Sequence, residues 1–262
     1  MKIPLATLLI FRIPGLFWIA FVTFATSLSC RGDSVPVAAL FRQGTNAYAK
    51  GDFEQAALCF RSVANATSSA GAWHNLGNSE WQSGHPGPAI LAWERGRWLD
   101  PFDSGTRENL RFARKARQLD SPELTWYETA ATWLPADAWP WIASLSFWTA
   151  LSLLMLPGIF GCRKAGWHQG IAASCFAIFL LTLPAIFGVQ TLSRIGVLLP
   201  EATPLRLTPT SEAQVLGKLP PGETVRLQRS HGDFVYIRTD SGAGWIRRSE
   251  LSMIAGPRGE GF

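Results

Sequence analysis

Charge is scarce in this sequence. Only 16% of the 262 residues are Asp, Glu, Lys or Arg. Residues 138–162 and 165–193, stretches of 25 and 29 positions, contain none of them. Gaps of that length exclude a disordered chain and a plain soluble globule. The basic excess is small, 24 Lys and Arg against 19 Asp and Glu, with one basic block at Arg111–Arg117. That balance argues against a nucleic-acid partner. The four Cys include no Cys-x-x-Cys pair, and His74, His85, His168 and His231 are scattered without ligand spacing. A disulfide framework and a metal site are therefore not expected, and Cys59 reads as a packed helix residue. No Gly-x-Ser-x-Gly, His-Glu-x-x-His or Gly-rich phosphate loop is present. Nucleophilic, zinc-hydrolytic and nucleotide chemistry thus lack a carrier, so we expect no enzyme, no catalytic residue and no cofactor.

What fills the charge gaps is apolar. Residues 139–161 and 170–192 are 23-residue runs rich in Leu, Ile, Phe and Ala. As helices each would be about 35 Å long, against about 30 Å for a hydrocarbon core. Trp139, Trp141 and Trp167 stand at their ends, where an amphipathic ring favours the headgroup layer. Spanning helices tolerate Pro157 and Pro184 when neighbours satisfy the freed carbonyl. The loop 163–169 carries Arg163 and Lys164 and no acid. The excess of Lys and Arg on cytoplasmic loops puts it inside, with both flanking regions outside. The N-terminus agrees. Lys2 and Arg12 precede an apolar run that ends in small residues before Cys30. Residues 1–29 are expected to be a signal peptide or an N-terminal anchor, with cleavage after Ser27 or a lipidated Cys30 as alternatives.

Residues 40–101 repeat with a shift of 33. Gly44 aligns with Gly77, Gly51 with Gly84, Ala56 with Ala89, and Phe60 with Trp93. The spacing suits two helical hairpins: Gly44 and Gly77 at close crossings opposite small Ala, Gly51 and Gly84 ending the first helices, and Phe60 and Trp93 filling the space beyond. This pattern resembles the tetratricopeptide repeat, with departures at Gly96, where that family usually has Ala, and at Pro86-Gly87-Pro88. Two repeats bury too little alone, so a third helix is expected over 104–118. There Leu110, Phe112 and Ala113 would pack, while Arg107, Arg111, Arg114, Lys115 and Arg117 face water. The repeat region spans 37–120. The resemblance implies a concave groove lined by Phe41, Thr45, Tyr48, His74, Asn78 and Trp81, where a peptide would lie; that Tyr48 and Trp81 merely cover the next helix is an equal alternative. Residues 121–138 form an interfacial connector, with Ser121 and Pro122 starting a helix that carries Trp126, Tyr127, Trp133 and Leu134.

From residue 200 the pattern becomes short β-type runs. Val225/Leu227 and Val235/Ile237 alternate with period two, and Pro220-Pro221-Gly222, Gly232-Asp233 and Asp240-Ser241-Gly242 mark turns. Five strands are expected over 200–254, with 255–262 a tail. The series LPPGETV, GDFVYIR and GWI resembles the bacterial SH3 domain, which implies binding of peptides or cell-wall material. Phe234, Tyr236 and Trp245 are the aromatic contacts it implies, or else part of the barrel's own closure. The expected fold is thus a multidomain membrane protein: all-α tetratricopeptide repeats, a two-helix transmembrane hairpin and an all-β SH3-like barrel. That order resembles the E-type (BatE-like) membrane proteins of bacterial aerotolerance operons. The resemblance implies an inner-membrane scaffold with both soluble regions in the periplasm. Its implied partners are membrane proteins with von Willebrand A domains and a MoxR-type ATPase. The alternative is an envelope sensor that binds peptidoglycan through the SH3 module.

Overall fold

A computed structural model describes residues 35–159, 166–239 and 242–255. The signal or anchor at 1–29, Cys30, residues 163–165 of the loop, and 256–262 of the tail lie outside the described residues. Residues 1–39 and 40–262 are separate compact units. Of the first, only the start of one helix is described.

Among the described residues, five helices come first: α1 Val35–Ala49, α2 Phe53–Ala66, α3 Ala70–Gln82, α4 Pro86–Leu99 and α5 Ser104–Arg117. Their ends follow from local chemistry. Gly51 and Gly84 both have φ of +81°, a conformation that a side chain disfavours, and each ends a helix. Asp52 caps α2 by accepting from the Gln55 N–H at 3.1 Å, and Ser69 caps α3 by accepting from the Ala72 N–H at 3.3 Å. Pro86 opens α4, and Asp103 caps α5 through the N–H groups of Gly105 and Thr106. Gly44 lies against the Phe60 ring and the Cys59 side chain, and Gly77 lies against Trp93. The aromatic ring, rather than the expected Ala56 or Ala89, is what fills the space at each glycine. Cys59 is buried with a free thiol. Ion pairs join successive elements with opposite polarity: the half-exposed Arg61 of α2 reaches the buried Glu80 of α3, and the buried Glu94 of α4 is reached by Arg114 of α5. Arg114 is thus buried, at 8% exposure, where we expected it in water, and Phe112 is 62% exposed where we expected it packed. The α5 register sets both.

A six-residue helix, α6 (Trp126–Ala131), leads into α7 (Ala138–Ile159) and α8 (Gly166–Leu192). Thr125, not Ser121, precedes α6, because Glu128 reaches back to the Thr125 N–H at 2.9 Å. Helices α7 and α8 are long and apolar enough to cross a membrane. The second begins four residues before the expected 170. The two helices pack against one another, and their buried positions are small side chains, Ala143, Ser146 and Ala150 on α7 and Ala172, Thr182 and Ala185 on α8. Their other faces leave Trp141, Leu145, Phe176, Leu181 and Phe187 exposed. Gly188 is where α6 crosses α8, against the Tyr127 carbonyl and Ala131.

The C-terminal region is an antiparallel sheet of seven strands rather than five. They are β1 Ile195–Leu198, β2 Thr203–Arg206, β3 Val215–Leu219, β4 Thr224–His231, β5 Phe234–Thr239, β6 Gly242–Arg247 and β7 Leu251–Met253, in the order β3-β2-β6-β5-β4-β1-β7. Its own core is Leu198, Leu205, Leu219, Val225, Val235, Ile237 and Ile246. The sheet starts five residues before the expected boundary, because β1 follows α8 almost directly and pairs with both β4 and β7. All four β1 residues are buried. Ile195 and Val197 join a second core with Ala89, Ile90, Trp93, Leu110 and Ala113 of the helical layer. Gly87 explains the departure at Pro86-Gly87-Pro88: a Cβ there would stand 2.6 Å from the Leu199 carbonyl oxygen.

Two polar clamps complete this junction. Arg95 of α4 donates to the Met253 carbonyl at 2.9 Å and to Ser252 at 3.0 Å, over the Trp73 ring; burial lowers its pKa. Arg226 of β4 donates to the fully buried carboxylate of Glu128 at 2.5 and 3.2 Å. Burial alone would raise the Glu128 pKa. The Arg226 guanidinium, with hydrogen bonds from Thr125 and Thr191, outweighs it and lowers the value from 4.5 to about 2.

That lowering has a sign. The folded value lies below the unfolded one, so the clamp's contribution, roughly 3 kcal/mol, is complete above about pH 4.5 and lost as pH falls towards 2. In denaturant unfolding of the full chain in detergent, the stability difference between wild type and Glu128→Gln should shrink across that window; a difference that stays constant with pH refutes the assignment. The glycines provide a second test by thermal unfolding. A Cβ at Gly77 would sit 2.5 Å from the Trp93 ring, whereas one at Gly96 finds ordinary contacts at 3.5 Å or more. Gly77→Ala should cost about 1–3 kcal/mol, and Gly96→Ala should be neutral or stabilise by up to about 1 kcal/mol. Equal effects would contradict the packing described.

Candidate functional site

The residues expected in a helical groove do not form one open face. In the first hairpin, Phe41 packs edge-on against Phe60 with centroids 5.4 Å apart, and Tyr48 against Phe53 at 5.2 Å. Thr45 is exposed and donates to the Phe41 carbonyl at 3.0 Å. In the second hairpin all three residues engage the rest of the helical layer. His74 Nδ1 lies 2.7 Å from Thr106 Oγ1 and 3.3 Å from Asp103 Oδ2. The hydrogen bond from Thr106 leads the causes that lower the Asp103 pKa, with His74 contributing. Asn78 Oδ1 accepts from Trp93 Nε1 at 3.1 Å and from Asn109 Nδ2 at 2.8 Å. Trp81 lies against Trp93 at 5.9 Å and Phe112 at 5.8 Å. Helix α5 thus holds His74, Asn78 and Trp81. For Trp81 this is the alternative in which the ring covers the next helix.

The three aromatic residues of the sheet are arranged differently. Successive side chains of a strand point to opposite faces. Val235 and Ile237 are fully buried in the sheet's core, so Phe234 and Tyr236 lie on the outer face and are only partly buried. The register places Tyr236 between Arg229 of β4 and Trp245 of β6, and Trp245 opposite Arg206 of β2. The result is a ladder across four strands: Arg229, Tyr236, Trp245, Arg206. Tyr236 and Trp245 meet edge-on at 5.2 Å, and the Arg229 guanidinium lies 4.7 Å from the first ring's centroid and 5.5 Å from the second's. A cation over the negative face of a ring is held by electrostatic attraction, and it leaves its outward N–H groups free to donate. Phe234 sits one step along, opposite His231 and Arg247.

The charge of this face is of one sign. Its paired positions carry Arg206, Arg226, Arg229, Arg238 and Arg247, and no Asp or Glu. Arg226 is committed to Glu128, and Arg247 donates to Ser211 at 3.0 Å. Arg206 donates to the Pro204 carbonyl at 3.2 Å. The open end therefore offers aromatic area beside the Arg229 guanidinium, chemistry that takes up carboxylates together with planar or apolar groups.

Residues 201–252 match the bacterial SH3 domain family. No curated protein matches the chain. The bacterial SH3 match points to protein or peptidoglycan binding by this module. The ladder lies within it; of the aromatic residues named from the sequence, Tyr236 and Trp245 belong to the ladder and Phe234 flanks it. Sequence reading missed Arg229 and Arg206. A bulge between Leu227 and Arg229 shifts the register, so simple alternation along β4 does not place Arg229 beside Tyr236.

Surface and core should separate in stability measurements. Trp245→Ala and Arg229→Ala remove half-buried or exposed groups and should cost about 1 kcal/mol or less, while Ile237→Ala in the core should cost about 2–5 kcal/mol. Chemical unfolding of the full chain checks this; a core-like cost at Arg229 would mean that the ladder serves folding.

Proposed function

We propose that this protein is a non-enzymatic inner-membrane scaffold. Its two apolar helices span the membrane, and its SH3 module recruits partners on the periplasmic side. The observation that carries the reading is the Arg229–Tyr236–Trp245–Arg206 ladder: a cationic, aromatic face on the sheet that follows the two apolar helices in the chain. Arg163 and Lys164 in the short loop favour its cytoplasmic placement. The core shared by the helical layer and the sheet supports one common compartment for both. The repeated glycine contacts of α1–α4 support tetratricopeptide hairpins, which here act chiefly as the platform for the SH3 module. By the whole-chain resemblance to BatE-like proteins, the partners are membrane proteins with von Willebrand A domains, assembled with a MoxR-type ATPase. The face suits acidic segments of such partners.

The second reading is an envelope sensor that binds peptidoglycan, whose stem peptides also carry carboxylates. The same face favours it, so the two are separated by ligand. Full-length protein should co-purify with a von Willebrand A-domain protein after crosslinking in native membranes, and Trp245→Ala or Arg229→Glu should reduce this about tenfold or more. Pelleting of the solubilised full chain with isolated wall material, lost in the same variants, would instead select the sensor. The full chain is needed because a fragment starting at residue 200 lacks β1, which pairs with two strands of the sheet.

A further inference from the structure

A cleft of about 410 Å³ opens where the chain enters α7 and leaves α8. Trp98, Phe102 and Arg107 of the helical layer line one part, Trp133 and Leu134 of the connector another, and Val189 of the last turns of α8 a third. The walls are mainly apolar, and the volume suits part of an amphiphile. Two of the rings are conspicuously uncovered, Phe102 at 63% and Trp133 at 66% exposure. Large apolar groups grouped at one opening mark a contact surface.

Charge and depth narrow the occupant. The charged groups of the lining are Glu94, Arg97 and Arg107. Glu94 is shared between Arg97, at 2.7 Å, and Arg114. Its single negative charge is therefore already matched. Arg107 is exposed and makes no ion pair among the described residues. The cleft thus carries surplus positive charge beside apolar walls. It also lies at the ends of both apolar helices, next to Ala138 and Leu192. On the spanning reading proposed above, on which this inference rests, that is the depth at which acyl chains give way to phosphates.

We propose that the cleft holds one phospholipid with an anionic headgroup. Its phosphate is met by Arg107, with Arg97 beside it, and the upper part of an acyl chain lies against Trp133, Leu134 and Val189.

Native mass spectrometry of the full chain in detergent tests this with phosphatidylglycerol, phosphatidylcholine and glycerol 3-phosphate as probes. One phosphatidylglycerol should be retained about tenfold more tightly than phosphatidylcholine, as expected for a charge-assisted contact. Arg107→Gln should abolish that preference and leave phosphatidylcholine binding unchanged. Ala136→Phe, which places bulk in the cleft without altering charge, should weaken both lipids. Circular dichroism confirms that each variant is folded. Equal retention of both lipids, or a preference insensitive to Arg107→Gln, overturns the site. Glycerol 3-phosphate binding as tightly as the lipid also overturns it, because the acyl chain would then contribute nothing. Alkaline carbonate extraction separates the two levels. Release of the protein from membranes sinks the spanning reading and this proposal together, whereas a retained protein without the lipid preference sinks the lipid site alone.

Discussion

Strand β1 is the element on which the described structure depends. It has four residues and all are buried. One side completes the core of the helical layer and the other completes the sheet. A strand buried on both faces cannot shift register by one residue without exchanging the two sets of side chains. Because β1 follows α8 after two residues, the last turn of an apolar helix, the helical layer and the SH3 module are held to one another with little freedom. The Glu128–Arg226 and Arg95–Met253 contacts act at either side of that strand and would be poorly satisfied if it moved. A buried carboxylate with its guanidinium partner removed would be costly, so the pair specifies the docking as well as stabilising it.

The coupling through β1 also occupies part of the helical region. The resemblance to tetratricopeptide hairpins implies a groove on the first helices, yet α5 takes up His74, Asn78 and Trp81. The opposite side, carried by α4, takes up β1. Both sides of the second hairpin are therefore occupied from within the chain. The aromatic face that stays open lies on the sheet, where the Arg229 guanidinium lies over the Tyr236 and Trp245 rings.

Much of the fold is legible in local sequence patterns. The 33-residue period places Gly51 and Gly84 at helix ends, and both have the positive φ that this position requires. The two charge-free runs form the two long apolar helices, with α8 starting earlier because Gly166, Trp167 and His168 prolong it without a breaker. Alternation locates Val235 and Ile237 in the core, and by difference Phe234 and Tyr236 outside. Other features are hidden. Nothing local distinguishes Arg114 from the exposed Arg111, since only the distant Glu94 makes its burial tolerable. Glu128 looks like an ordinary charge before an apolar helix, and its partner is 98 residues away. Ile195–Leu198 resembles the end of a spanning segment, because a strand buried on both faces lacks the alternation that marks strands.

The amino-acid sequence by itself determined most of the elements, β1 being the chief exception. Hydrophobic period, glycine placement and charge gaps act over a few residues, and they set which segments become paired helices, long apolar helices or short strands. Tertiary structure alone decided how those elements meet: the continuous core through β1, the buried ion pairs, the crossing at Gly87 and the arginines beside the aromatic ladder. Each of these joins residues far apart in the chain, and a side chain's burial or charge state is settled only by the partner that folding brings to it.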